Sequence, residues 1–143
     1  MSLSIFDIAK NISWTNEGRF YLTQKESKYE LLTEYLSGFN IQEINSEIAS
    51  IYKTIEIISS NDNKKIANYF TQELHGFNED STAFVGGATD FSVSLIFSFI
   101  EKSTYLKHVY GEPNETYPID LCQLIHYMEG LKKIINSVIL NKF

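Results

Sequence analysis

Asp90-Phe91-Ser92-Val93-Ser94-Leu95-Ile96-Phe97-Ser98-Phe99-Ile100 is the stretch on which the fold turns, because its residues obey two rules at once. Val93, Leu95, Phe97 and Phe99 alternate with mostly small residues, the period-two pattern of a half-buried strand. The same segment opens on Thr89-Asp90, continues through Glu101-Lys102 and closes on Gly111-Glu112-Pro113. Those are helix start and stop signals over a length too great for one strand. That length predicts a helix over residues 90–110.

Immediately upstream, residues 77–90 have no period, and Gly86-Gly87 marks a sharp turn. They read as a loop of about fourteen residues, long for a compact chain and therefore a candidate for function. Farther out the helix signals strengthen. Ile41, Ile44, Ile48, Ile51, Ile55 and Ile58 recur at intervals of 3-4-3-4-3, and Leu121, Leu124, Met128, Leu131, Ile135 and Val138 repeat the same intervals. A helix turning every 3.6 residues puts each set on one narrow stripe. The two stripes are expected to pack against each other within the chain rather than between chains.

Asn40 with Glu43 forms an N-terminal cap, and Ser60-Asn61-Asp62-Asn63 interrupts. Ile66, Tyr69, Phe70 and Leu74 then define a fourth helix closed by Gly76. Thr23 and Glu26 have capping-box spacing ahead of Leu32, Tyr35 and Leu36, with Gly38 as the stop; Ser4 and Asp7 suggest a short first helix over residues 5–12. Asn16-Glu17-Gly18 is turn chemistry that could join a small hairpin near residues 12–22. Pro118 suits a first helical position before the last stripe. The expected fold is all-α: one helical domain, residues 1–143, in an irregular bundle of five or six helices with a long acidic loop between the fourth and fifth.

Composition narrows the class of job. The chain has 143 residues, is 43% hydrophobic and carries a net charge of −6. Residues 66–101 hold Glu73, Glu79, Asp80, Asp90 and Glu101 and no lysine or arginine, and Arg19 is the only arginine in the chain. Nucleic acid needs clustered cations and is an improbable ligand, whereas a field of one sign steers an oppositely charged protein. Cys122 is the single cysteine, and no stretch reaches the roughly 20 apolar residues of a membrane span. A cytoplasmic protein without a membrane partner is expected.

No catalytic constellation stands out. Cys122 and His126 share a helix face but lack further metal ligands or an orienting group; His75 and His108 would have to arrive by folding. Gly86-Gly87 lacks the lysine of a phosphate loop. Glu26, Glu30 and Glu34 form a row that reads as a solvated face. A dispersed enzyme site drawn from Asp120, His126, Tyr127 and Glu129 is the least favoured option. No metal or cofactor is expected.

The leading expectation is a non-catalytic acidic protein that neutralises a basic partner, most concretely an immunity protein against a nuclease-type bacterial toxin. Its partner-binding residues would be Glu73, Phe77, Glu79, Asp80, Phe84 and Asp90, with aromatic anchors inside an acidic rim. The alternative is a helical adaptor or regulatory module, monomeric or a small homo-oligomer.

Overall fold

Residues 93–98 and 103–108 pair as antiparallel strands, so the all-α expectation is wrong and the chain has an α+β fold. The computed structural model describes residues 4–90, 92–109 and 115–141, with side chains through residue 138. Along the chain run α1 (Ile5–Ile8), β1 (Ala9–Trp14), β2 (Phe20–Gln24), α2 (Glu30–Leu36), α3 (Ile41–Ser59), α4 (Asn63–Gln72), β3 (Thr82–Gly87), β4 (Val93–Ser98), β5 (Ser103–His108), β6 (Thr116–Pro118) and α5 (Leu121–Asn141). β1 and β2 form one sheet; β3-β4-β5-β6 form a second, a four-stranded antiparallel meander.

The helix expected over residues 90–110 fails because its terminal signals are also turn chemistry. Asp90 accepts hydrogen bonds from the Ser92 amide (3.0 Å) and hydroxyl (2.6 Å), closing a turn in front of β4 rather than capping a helix. Glu101 and Lys102 sit in the β4–β5 turn, where Lys102 has φ +54° and the Ser98 hydroxyl accepts from the Glu101 amide at 3.2 Å. The Gly111-Glu112-Pro113 stop lies outside the described residues. The expected loop over residues 77–90 contains β3 at its centre, and that strand's register shifts between Phe84 and Gly86. That bulge, and two glycines with no side chains to alternate, hide the strand's period.

α1 stops after one turn at Ile8, since Ala9 already belongs to β1. Thr23 lies in β2 rather than capping a helix, and a short 3-10 turn at Ser27–Tyr29 leads into α2. Pro118 ends β6, and the turn before α5 is held instead by Asp120, which accepts from the Cys122 amide at 2.7 Å. The hairpin expected near residues 12–22 extends from Ala9 to Gln24. It does not stand alone: the Phe20 amide donates to the Phe39 carbonyl (3.1 Å) and the Gly38 amide to the Phe20 carbonyl (2.6 Å). β2 is thereby tied to the α2–α3 junction. Gly38 takes φ +93° there, the left-handed region open to glycine.

The two stripes meet as expected. α3 and α5 pack along each other, with Ile44, Ile48 and Ile51 buried against a helix that buries Leu121, Leu124, Met128, Leu131 and Ile135. Asn40 Oδ1 accepts from the Glu43 amide at 2.8 Å, fixing the start of α3. α2 and α3 lie on the four-stranded sheet. Val93, Leu95, Phe97 and Leu106 are fully buried, which marks the face those helices cover. Phe70 of α4 stacks on Phe97 at 5.0 Å and 5° between planes, sealing one end of this core. Among the described residues, no helix is long and apolar enough to cross a membrane.

Candidate functional site

The strands that bury Val93, Leu95 and Phe97 must turn their alternate residues the other way. The register Phe84↔Ile96, Ile96↔Tyr105 and Tyr105↔Pro118 sets four apolar side chains in a straight row across all four strands. All four keep solvent exposure, in contrast to the inner face. Polar residues run on either side: Thr82↔Ser98↔Ser103 towards one end of the sheet, Ser94↔Lys107↔Thr116 towards the other. Gly87 leaves room for the Phe84 ring, which a Cβ there would touch at 3.4 Å. His75 meets Phe84 edge-on at 5.8 Å and closes the row at its β3 end.

Carboxylates gather at one end of this face. Asp80, in the turn before β3, and Glu101, in the β4–β5 turn, lie at that end, and burial followed by their charges pushes the Tyr105 phenol above its ordinary value. Asp80 accepts from the Thr82 hydroxyl (2.5 Å) and amide (3.1 Å), and these hydrogen bonds hold its carboxyl below the usual range. Ile100, in the adjoining turn, is 74% exposed. Exposed aromatic and aliphatic side chains beside fixed negative charge make a surface suited to a protein carrying lysines and arginines.

The six expected contact residues are not all gathered here. Phe84 lies in the row, Asp80 sits beside it, and exposed Glu79 occupies the turn before β3. Phe77 instead packs on Phe70 (5.3 Å) and Phe99 (5.4 Å). Glu73 pairs with Lys53 at 2.7 Å on the α3–α4 side. Asp90 lies beyond the opposite end of β3, bonded to Ser92. Ile96, Tyr105 and Pro118 escaped the sequence reading because only strand register aligns them. The Ser94-Ile96-Ser98 alternation was the signal that could have found them.

The remaining chemistry stays dispersed. Cys122 and His126 are both exposed on α5, and burial together with Asp120 raises the thiol above its ordinary value, which weakens it as a nucleophile. Tyr127 is buried in the core while Asp120 and His126 face solvent. Gly86 and Gly87 belong to β3 and precede no helix. Gly86 instead makes room for the Glu47 carboxylate, which accepts from the Tyr35 hydroxyl at 2.7 Å. Arg19 is engaged by Glu43 and the Gly38 carbonyl, both at 2.6 Å. A half-open cavity of about 460 Å³ lies between Ile55 and Ile58 of α3, Phe97, and the start of α5. Lys102, which also lines it, sits over the Phe99 ring at 3.4 Å. Finally, folding brings His108 to the glutamate row, with Nδ1 at 3.6 Å from Glu34 Oε2.

No protein-family model matches this chain, and no curated protein or solved structure matches it either, so the immunity-protein expectation draws no support from a relative.

Proposed function

We propose that this protein is a non-catalytic binding module that docks a basic protein on the open face of its four-stranded sheet. The observation that carries the reading is the row Phe84, Ile96, Tyr105 and Pro118, with Asp80 and Glu101 in the turns at one end of the same sheet. Aromatic side chains with few rotatable bonds make good anchors, and acids at the edge speed encounter with a cationic surface. A net charge of −6 adds long-range attraction of the same sign and repels nucleic acid. The nuclease domain of a toxin is one basic protein of this kind.

The test is affinity capture from the cells that make the protein, run in parallel with wild type and a Phe84→Ser/Tyr105→Ser variant. The expected result is a basic protein retained by wild type and lost from the variant, with association that slows steeply as salt rises. Equal retention by both baits, or no basic protein that distinguishes them, overturns the proposal. Light scattering of the free chain separates the homo-oligomeric alternative: a defined dimer that the same two substitutions dissolve would assign the row to self-association.

A further inference from the structure

We propose that Glu30, Glu34 and His108 form a binding site for a divalent transition-metal ion, independent of the docking face. Glu30 and Glu34 are four residues apart on α2 and share one helix face, and His108 is delivered from the end of β5. One ligand atom from each of the three lies within 4.8 Å of the other two. Tetrahedral ligands at zinc-like bond lengths sit roughly 3.3 Å apart. The 3.6 Å from Glu34 Oε2 to His108 Nδ1 already approaches that edge. Glu30 is exposed, so its side chain is free to swing in and shorten the other two.

A simple Glu34–His108 ion pair explains less of the arrangement. It leaves the Glu30 carboxylate directed to the same point, beside a like charge one turn away, which is unfavourable without a cation. The adjoining cleft of about 440 Å³ is lined by Glu30, Glu34 and Asp90 and, among the described residues, by no lysine or arginine. A dication would balance the two ligating carboxylates, and the open cleft leaves coordination positions for water or for an acidic group of a ligand. One imidazole with two carboxylates suits zinc, manganese or iron(II) better than calcium or magnesium, which prefer oxygen alone. Bound there, the ion would clamp α2 to the end of the sheet.

The probe is Zn²⁺, titrated calorimetrically into the whole chain. One ion per chain is expected, with affinity reduced about tenfold or more by each of Glu30→Gln, Glu34→Gln and His108→Ala. Glu30→Gln alters an exposed side chain and keeps the comparison valid even where His108→Ala disturbs the fold, which circular dichroism checks. Cys122→Ser/His126→Ala removes the other soft pair and should leave the titration unchanged. Absence of saturable binding below about 100 µM, equal affinity in Glu30→Gln, or loss of binding in the Cys122→Ser/His126→Ala variant would each overturn the site.

Discussion

The two faces of the β3–β6 sheet are built from neighbouring residues of the same strands, yet they do different work. On the inner face Val93, Leu95, Phe97 and Leu106 have no solvent exposure and sit under α2 and α3, with Phe70 of α4 stacked on Phe97. On the outer face Ile96 and Tyr105, one residue along in each case, remain partly exposed. The inner face forms part of the core, while the outer leaves its apolar side chains partly exposed. Stability accounts for the first set, whereas the second is partly open and is the surface the proposed docking would use.

The largest expected effect lies on the inner face. Leu95→Ala removes a fully buried side chain between the sheet and its helices, and should destabilise the protein by about 2–5 kcal/mol in urea denaturation. Gly86→Ala comes next. A Cβ there would collide with Glu47 Oε1 and meet the Tyr35 hydroxyl at 3.4 Å. Moving Glu47 aside leaves a buried hydroxyl without its acceptor, a cost of about 1–3 kcal/mol. The same substitution should cost less in a Tyr35→Phe background, where no hydroxyl is stranded.

Glu47 gives a pH-dependent version of the test. Burial raises its pKa above the ordinary 4.5, outweighing the Tyr35 hydrogen bond that favours the charged form. The folded state therefore holds the proton more tightly than the unfolded state. Between the unfolded and folded values stability falls as pH rises, and it stays lower above both. Glu47→Gln keeps an acceptor for Tyr35 and removes the titration. Its thermal midpoint should exceed that of wild type at pH 7, and the difference should shrink as pH falls below the ordinary carboxylate range.

These contrasts also explain what could be read from the residues alone. The α3 and α5 stripes were legible because a helical face is written in local intervals, and the Asn40 cap needs only Glu43 three residues on. The Val93-Leu95-Phe97 alternation was equally plain, but Asp90 and Gly111-Glu112-Pro113 serve turns and helix ends alike. Length then decided wrongly, since two strands and a tight turn fill the same span as one helix. β3 lost its rhythm to a bulge and two glycines, and the three residues of β6 are too few to show one. The outer row and the approach of His108 to Glu34 depend on register and long-range packing, which no local pattern encodes.

The smallest expected effect is the most informative about the two faces. Ile96→Ala removes an apolar side chain one residue from Leu95, but from the face opposite the buried one. What it forfeits is cross-strand contact with Phe84 and Tyr105, so a loss of about 1 kcal/mol or less is expected under conditions that expose the full cost of Leu95→Ala. A loss comparable to that of Leu95→Ala would mean the outer row is itself packed, and the docking face would lose the exposed surface it requires. A small loss, joined to weakened capture of a basic partner, would assign Ile96 to recognition, because a side chain whose removal barely affects folding has its contacts in the complex.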